Sequence, residues 1–449
     1  MIPSCRIKKI VIEKLFGHYN YSLFLGENID DKIFILYGDN GCGKSTVLNL
    51  AFHLLAPERK QGHKTAISKI PFKKFSVELS SGITVVAERN GNETTGGYIL
   101  SFVKKGKTTN HVEFVLDSER TLVTKKGEEK SEENIMHLLK EINTCYNLLS
   151  DNRSIRLSNY FCENDEFNEY DYVLKRRITR IHDYFAHGDR EDDINLQDFQ
   201  TFLLMRSISK AEQWLRRNFM QAASQGESSV NSLYGEILRA LSLDSSGSDD
   251  DKKDKAKIID NIRSLEAQSQ NFSQYGLLPS FHTKEIIQIL KQADDSILPL
   301  MVRTLNPYLK SIEKKIDALN EPYNRVNTFI KTLNKFFYDK EISMDINSGL
   351  KIKTNYGDDI LPSMLSSGER HLLLLFCNSL IMDKSSIIMI DEPEISLNIK
   401  WQRMLLSSLM SVSENQPVQY IFATHSIELL SEFKDHVIKF EHIAEMKKC

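Results

Sequence analysis

A glycine-rich segment, residues 38–46, constrains this chain more than any other feature. It reads Gly-Asp-Asn-Gly-Cys-Gly-Lys-Ser-Thr and lies between an apolar run, Ile33 to Tyr37, and a stretch of helical character from Lys44 to about Leu55. In the order strand, loop and helix, the pattern G-x-x-x-x-G-K-S predicts a loop whose backbone N–H groups surround phosphate oxygens. A glycine-rich turn with an incidental Lys-Ser pair is the alternative, and the flanking strand and helix disfavour it.

Each residue type in this segment suits a role in binding a nucleoside triphosphate. The ammonium of Lys44 is expected to bridge the β- and γ-phosphates, and the hydroxyl of Ser45 is expected to ligate Mg²⁺. The other loop positions expected to contact the nucleotide are Asn40, Gly41, Gly43 and Thr46. ATP and Mg²⁺ are therefore the predicted cofactors.

A second apolar run, Ile387 to Ile390, ends in two adjacent acids, Asp391 and Glu392. An uninterrupted aliphatic run suits a central parallel strand, and parallel sheets place their ligand sites at the carboxyl ends of the strands. We expect Asp391 to hold Mg²⁺, mostly through water, and Glu392 to polarise the attacking water. The alternative is two surface carboxylates at a strand end, which would leave an unpaired charge beside the core.

Size and composition indicate a large protein without a membrane span. A chain of 449 residues exceeds what one hydrophobic core usually organises, which predicts two domains or one domain with a large insertion. The longest apolar run, Leu372 to Met382, contains Asn378 and is shorter than the roughly 20 residues that cross a bilayer. The N-terminus has no secretory signal, so we expect a cytoplasmic protein. The net charge of −3 does not indicate nucleic-acid binding. The six cysteines are scattered and do not have the spacing of a zinc site.

The pattern of apolar residues divides the chain into three parts. Residues 1–163 read as a nucleotide-binding lobe of short strands, residues 164–338 as an α-helical insertion, and residues 339–449 as a second lobe. The strands predicted in the first lobe are Ile10–Leu15, Tyr21–Leu25, Ile33–Tyr37, Phe75–Leu79, Ile83–Ala87, Tyr98–Val103, Val112–Leu116 and Cys145–Leu149. The predicted fold class is α/β, with a mixed central sheet and an antiparallel β subdomain, split in sequence by the helices.

Within the insertion, apolar residues such as Leu305, Leu309 and Ile312 recur at helical spacing. The prolines at 279, 299, 307 and 322 favour several short helices over one continuous coiled coil. The charged run at residues 245–257 is expected to form a solvated, disordered loop. Alternating apolar residues on either side of Asn347-Ser348-Gly349 predict a β-hairpin that follows the helices.

Three further segments stand after the hairpin: Leu365-Ser-Ser-Gly-Glu369, Ile395 to Asn398, and Ala423-Thr-His425-Ser. The first of them is a weak signal in isolation. A helix start capped by Ser366 or Ser367, with Glu369 in the first turn, would explain it as well. An anion site at such a helix start is compatible with the same capping.

Together with the phosphate loop and the acid pair, these segments resemble ABC-type ATPases, the superfamily that includes transporter heads and the SMC, Rad50 and RecF proteins. The resemblance implies an ABC-type head in which Ser366 and Gly368 contact the γ-phosphate bound in the opposite protomer, so that a head-to-head dimer completes each site. It also implies that Ile395 to Asn398 cross the dimer seam, with Asn398 where Asp is usual, and that His425 hydrogen-bonds the γ-phosphate. The catalytic residues expected on this basis are Lys44, Glu392 and His425.

The Glu-Pro-Glu-Ile-Ser-Leu, Ser-Ser-Gly-Glu and Ala-Thr-His-Ser segments resemble, more narrowly, the AAA_15/AAA_21 group of stand-alone bacterial ATPases. This group includes the OLD nucleases and the ATPase subunits of the Septu and PARIS (AriA) anti-phage systems. The resemblance implies a homo-oligomeric ATPase that responds to a phage-encoded trigger protein and controls a separate Toprim-like or HNH effector nuclease. Only residues 426–449 follow His425, so we expect nuclease chemistry in another polypeptide. The alternative is a RecF- or Rad50-like DNA-repair or chromosome-maintenance ATPase that binds DNA directly.

Two features of the family have no clear counterpart in the sequence. Asp151-Asn152-Arg153 stands at about the place of the glutamine-containing loop but holds no glutamine, and a surface turn explains it equally well. Aromatic residues before the phosphate loop could stack on adenine, although packing on a strand face is the favoured alternative. These residues are Phe16, His18, Tyr19 and Tyr21.

Overall fold

The computed structural model describes residues 5–25, 32–57, 62–118, 121–142, 144–149, 155–157, 200–201, 203–222, 251–277, 283–293, 297–382 and 385–441. The chain divides into two compact units, Met1–Leu203 with Met382–Cys449, and Leu204–Ile381. The predicted division at residues 163/164 and 338/339 stays a prediction, since residues 158–199 lie outside the described ranges. Within those ranges no helix has the length and apolar character needed to span a membrane.

The first unit contains a six-stranded, mostly parallel sheet. Its strands are β3 (Ile33–Tyr37), β9 (Cys145–Leu149), β10 (Ile155–Leu157), β13 (Ser386–Asp391), β14 (Val418–Thr424) and β15 (Val437–Lys439). Their order is β10-β9-β13-β14-β3-β15, and every neighbouring pair except β9 with β10 is parallel. All residues of β13 and β14 are buried, as expected for central strands covered on both faces.

A seven-stranded antiparallel sheet forms the other layer of this unit. Its strands are β1 (Ile7–Leu15), β2 (Tyr19–Phe24), β4 (Lys74–Leu79), β5 (Ile83–Glu88), β6 (Tyr98–Lys104), β7 (Lys107–Leu116) and β8 (Leu122–Thr124). They lie in the order β2-β1-β4-β5-β6-β7-β8. The helices of this part of the unit are α1 (Lys44–Leu55), α2 (His63–Lys69) and α3 (Glu129–Glu141).

One hydrophobic core joins both sheets through α1. Leu48 and Phe52 of α1 belong to the same buried cluster as Phe75 of the antiparallel sheet and Met389 of the parallel sheet. Each such side chain, fully buried, contributes about 1.5–3 kcal/mol relative to an exposed position. The same packing holds the start of α1, and with it the phosphate loop, at the end of β3.

The described residues of the second unit form helices and one hairpin. Its elements are α4 (residues 203–222), α5 (Asp251–Ser273), α6 (Lys284–Gln292), α7 (Leu298–Phe336), the hairpin strands β11 (Lys340–Asp345) and β12 (Gly349–Thr354), and α8 (Ser367–Leu380). Helix α5 packs along α7, where the rings of Phe272 and Tyr323 lie 4.7 Å apart. Helix α7 also contacts α8, where the rings of Phe336 and Phe376 lie 5.6 Å apart.

The predicted fold class is confirmed. Several helices form the described part of the helical region, as expected, but the prolines at 307 and 322 do not separate them, and part of the predicted loop is helical. Pro307 and Pro322 lie inside α7, a single helix of 39 residues, instead of separating short helices. A proline removes one helical hydrogen bond, and packing along the whole of α7 offsets that loss. Of the loop predicted at residues 245–257, residues 245–250 lie outside the described ranges, and residues 251–257 begin α5 instead, because they lead directly into the periodic apolar face that Ile258 and Ile262 bury.

Candidate active site

Two glycines with left-handed backbone shape the phosphate loop. Gly41 has a φ of 83° and Gly43 a φ of 96°, values that residues with a Cβ rarely adopt. A Cβ on Gly43 would also lie 2.7 Å from Cδ2 of Leu15. Such turns let consecutive backbone N–H groups face one anion.

Lys44 is the first residue of α1, and its ammonium lies against the loop that precedes it. The Nζ atom donates hydrogen bonds to the carbonyl oxygens of Gly38 at 2.7 Å and Asp39 at 2.9 Å. These partners satisfy a charged group that is otherwise buried, and they keep it beside the loop that would hold the phosphates. The other predicted nucleotide contacts are Asn40, exposed in the loop, and Ser45 and Thr46, half-buried in the first turn of α1.

The aromatic residues before the loop separate into two kinds. Tyr21 is 1% exposed, and its hydroxyl donates to the carbonyl oxygen of Cys42 at 2.9 Å. Burial raises the pKa of this phenol, so it remains a neutral donor, and packing accounts for its place. Phe16 is 41% exposed and its ring lies 3.5 Å from the Cβ position of Gly43. Phe16 and the exposed His18 therefore remain the candidates for stacking on adenine.

The acid pair ends the strand β13, between β9 and β14. Asp391 is the last residue of the strand and is buried. Glu392 has a φ of 48°, a strained value for a residue with a side chain. Its N–H donates to the carbonyl oxygen of Ala423 at 2.8 Å, which fixes the turn at the end of β13.

His425 meets the acid pair at that edge. Strands β13 and β14 are parallel with Asp391 opposite Ala423, so the residues that follow each strand are neighbours. The Nδ1 atom of His425 lies 3.4 Å from an oxygen of Glu392 and 3.5 Å from an oxygen of Glu394. The structure thus brings together two residues that were predicted separately from distant motifs.

Glu394 is a residue that the sequence analysis missed. It is only 6% exposed, and one of its oxygens, Oε1, accepts hydrogen bonds from the hydroxyl of Thr424 and from the backbone N–H of His425 and Ser426. The available signal was a second acid, two residues after Glu392, in a loop that leaves a buried strand.

The segment before α8, in the second unit, forms a capping box. Ser366 Oγ accepts from the N–H of Glu369 at 3.4 Å, and the carboxylate of Glu369 accepts from the N–H of Ser366 at 2.7 Å. The second oxygen of Glu369 lies 2.9 Å from Nζ of Lys340. The helix-capping interpretation is therefore confirmed for Ser366, which stays exposed while Gly368 is buried in the first turn. The γ-phosphate contact expected of Ser366 and Gly368 stays a prediction.

Asn398 caps the next helix, α9 (Ile399–Val412), which precedes β14 and the short helix α10 (Ile427–Leu430). Its side chain accepts from the N–H of Trp401 at 2.9 Å. Asn serves as well as Asp in this position, so the departure from the usual Asp leaves the local structure intact. Asp151-Asn152-Arg153, the candidate for the glutamine loop, lies outside the described residues.

The family model described as AAA ATPase domain, AAA_15, matches residues 19–430. The chain belongs to this family. The match extends over the phosphate loop, the acid pair, His425 and the helical region between them, so the predicted AAA_15 membership is confirmed. The narrower expectation of an anti-phage subunit stays a prediction.

Several solved structures are similar to this AAA_15 ATPase domain at low identity. The SMC head domain of Pyrococcus furiosus, with an extended coiled coil and bound to the C-terminal domain of ScpA, is 12% identical, with 97% of this chain and 93% of that chain covered and a TM-score of 0.38. The SMC head domain of Thermotoga maritima is 12% identical, with 95% and 91% covered and a TM-score of 0.31. The recombination mediator protein RecF is 13% identical, with 94% and 93% covered and a TM-score of 0.28.

The oxygen donors of this AAA_15 domain fit Mg²⁺. Ser45 stands in the first turn of α1 after β3, and Asp391 ends β13, so a hydroxyl and a carboxylate stand after parallel strands of one sheet. Mg²⁺ typically takes one or two protein oxygens and completes its shell with phosphate oxygens and water. Bound there, the ion would neutralise charge on the phosphates.

Proposed function

We propose that this chain binds and hydrolyses ATP with Mg²⁺. The observation that carries the proposal is the shared carboxyl edge of β3, β14 and β13, which presents the Lys44 loop, His425 and the acid pair in neighbouring positions. Lys44 would hold the β- and γ-phosphates, Glu392 would polarise the attacking water, and His425 would contact the γ-phosphate. This is catalysis by positioning and charge stabilisation, which phosphoryl transfer requires.

The second part of the proposal is that two copies of the chain complete each ATP site. Ser366 is exposed at a helix start in the second unit, with Gly368 buried in the first turn behind it, and such a helix start suits a phosphate held by another copy. Large apolar residues are exposed beside the segments that the ABC-type resemblance assigns to the dimer seam. Met364, next to the capping box, is 71% exposed, and Ile399, next to Asn398, is 57% exposed. Exposed apolar groups at such places favour a protein interface.

Turnover as a function of protein concentration tests the shared site. At saturating ATP, the rate per chain should rise with chain concentration and level off once the assembly is complete. Mass photometry over the same range should show that dimers or larger species appear where the rate rises. A constant rate per chain in samples that contain only monomers would contradict the shared site and leave ATP hydrolysis itself established.

The biological setting that we propose is an anti-phage complex in which this ATPase controls a separate effector nuclease. The support is the AAA_15 membership together with the resemblance of the Glu392-Pro-Glu394 and Ser366 segments to defence ATPases. Purification of the tagged chain from its host with the neighbouring gene products, followed by native mass measurement, tests this setting. Co-purification of a Toprim-like or HNH subunit is expected.

The alternative, a DNA-repair or chromosome-maintenance ATPase, is equally compatible with the family match. It predicts that the purified chain binds DNA by itself. Affinity for a DNA duplex, measured from 50 to 200 mM salt, distinguishes the two settings, because direct phosphate contacts make affinity fall steeply with salt. Tight, salt-dependent binding without any nuclease subunit would favour the alternative.

A further inference from the structure

We propose that Glu394 is a positioning residue that sets the place of His425 relative to Glu392. This inference deepens the proposed function and rests on it for its catalytic consequence. Glu394 belongs to the loop that follows the acid pair, whereas His425 belongs to the loop after β14, so the contact joins two separate segments of the site. Its carboxylate would fix the position of the His425 loop relative to the loop that follows the acid pair.

The carboxylate of Glu394 accepts hydrogen bonds from three consecutive residues of the loop that carries His425. Its Oε1 accepts from the hydroxyl of Thr424, from the N–H of His425 at 3.2 Å and from the N–H of Ser426 at 3.3 Å. Thr424 Oγ1 in turn accepts from the N–H of Ser426 at 2.9 Å. A buried charge is costly unless it is hydrogen-bonded, and hydrogen bonds to an ionised acceptor are about twice as strong as neutral ones. The carboxylate therefore holds the backbone on both sides of the His425 side chain.

A second connection runs between the same two loops through α9. The hydroxyl of Ser426 donates to Oε1 of Gln402 at 2.9 Å, and Nε2 of Gln402 donates to the carbonyl oxygen of Leu397 at 2.9 Å. Leu397 lies in the segment that begins at Glu394. Two sets of hydrogen bonds thus connect the loop that carries His425 to the loop that follows the acid pair. Of the two, only the set made by Glu394 involves a carboxylate.

These hydrogen bonds determine where the imidazole of His425 lies relative to the two carboxylates. Its Nδ1 lies between oxygens of Glu392 and Glu394 at 3.4 and 3.5 Å. Since Nδ1 faces the two carboxylates, Nε2 on the other side of the ring is the nitrogen left for a γ-phosphate. A shift of the loop by a fraction of an ångström would move Nε2 and alter the geometry that catalysis needs, while the Lys44 loop would be untouched.

Glu394→Gln tests the proposal with a side chain of nearly the same size. Steady-state kinetics should show kcat reduced by about tenfold, while the KM for ATP and the affinity for ATP stay within about twofold of the wild type. Hydrogen exchange should accelerate at the amides of His425 and Ser426. Glu428→Gln is the matched control, because Glu428 is a half-buried acid in α10, two residues after Ser426, whose carboxylate pairs with Arg403; it should change none of these quantities.

Other results would overturn the proposal. Faster exchange at His425 with unchanged kcat would limit Glu394 to a structural role, and unchanged exchange would show that it does not hold the loop. A loss of ATP affinity equal to the loss of kcat would mean that Glu394 acts on nucleotide binding and not on the position of His425. If Glu394→Gln does not fold, Thr424→Val removes one donor to the same oxygen and should produce a smaller change of the same kind, with the same results counting against it.

Failure of the proposed function would be seen separately. Wild-type protein that binds no ATP, or binds it without hydrolysis at any concentration, would contradict the ATPase proposal. The exchange rates of His425 and Ser426 would still show whether Glu394 holds their loop, because that measurement needs no nucleotide.

Discussion

The side-chain amide of Gln419 bonds to both polar backbone groups of Ile7. Its Oε1 accepts from the Ile7 N–H at 2.8 Å, and its Nε2 donates to the Ile7 carbonyl oxygen at 2.9 Å. Gln419 lies in β14 of the parallel sheet, and Ile7 begins β1 of the antiparallel sheet. One buried glutamine therefore joins two strands that belong to different sheets, through the same pair of backbone groups that a neighbouring strand would use.

Gln419→Leu should destabilise the protein by about 2–3 kcal/mol, because it leaves a buried N–H and a buried carbonyl of Ile7 without their partners. Chemical denaturation followed by tryptophan fluorescence measures the change. Gln268→Leu, at an exposed helical position, is the control and should shift stability by less than about 0.5 kcal/mol. Equal effects in the two variants would show that the Gln419 amide contributes no specific stability.

Gly43→Ala should reduce ATP affinity by more than about tenfold, because alanine at a φ of 96° is strained and its Cβ would strike Leu15. Gly62→Ala is a matched control. Gly62 precedes α2 with a φ of 75°, but a Cβ there meets nothing within 4 Å. This control should bind ATP as the wild type does. Titration with a fluorescent ATP analogue measures both affinities, and wild-type affinity in Gly43→Ala would contradict the need for glycine at position 43.

Lys44→Ala should abolish measurable ATP binding, since the ammonium that the loop carbonyls hold in place is removed. Isothermal titration calorimetry measures the affinity. Lys69→Ala, at the exposed end of α2, serves as the control and should bind ATP as the wild type does. Retained affinity in Lys44→Ala would contradict the assignment of the loop.

Glu392→Gln should bind ATP normally and lower its turnover by at least about 10²-fold, because the amide keeps the size of the side chain but cannot accept a proton from water. The proposal further predicts that ATP holds this variant in a dimer or larger assembly, which size-exclusion chromatography with light scattering would detect. Turnover equal to that of the wild type would mean that the base lies elsewhere.

Gly368→Asp should lose turnover, because it adds a negative charge in the first turn of α8 that would face the phosphate of the opposite copy. Mixing it with Lys44→Ala should restore part of the activity, since each variant supplies the half-site that the other lacks. A titration of one variant into the other, at constant total protein, should peak near equal amounts. Activity that never exceeds the sum of the separate variants would contradict the shared site.

Local patterns predicted the central elements well. The strands Ile33–Tyr37 and Cys145–Leu149 and the helix Lys44–Leu55 have the predicted bounds, because each is a short apolar or periodic run with a clear stop. The hairpin around Asn347 to Gly349 also formed as predicted. The predicted strand ends also placed Glu392 and His425 at the carboxyl edge of one sheet, because the residues that follow neighbouring parallel strands lie at the same edge.

Long-range packing explains what those patterns missed. Nothing local distinguishes Pro307 and Pro322 of α7 from prolines that end a helix, and only the contacts along α7 keep it continuous. The second acid after the pair marked Glu394 only weakly, because its partners, residues 424–426, stand far away in the sequence.

The sequence by itself determined the phosphate loop, the acid pair, the order of the motifs and membership in the AAA_15 family, because spacing and residue type carry that information along the chain. Tertiary structure alone decided that Tyr21 is buried beside the phosphate loop, that Gln419 hydrogen-bonds to Ile7 and that Glu394 hydrogen-bonds to the loop of His425. Each of these depends on a hydrogen bond between strands or loops that are far apart in the sequence and meet only in the folded chain, and no local spacing encodes such a contact.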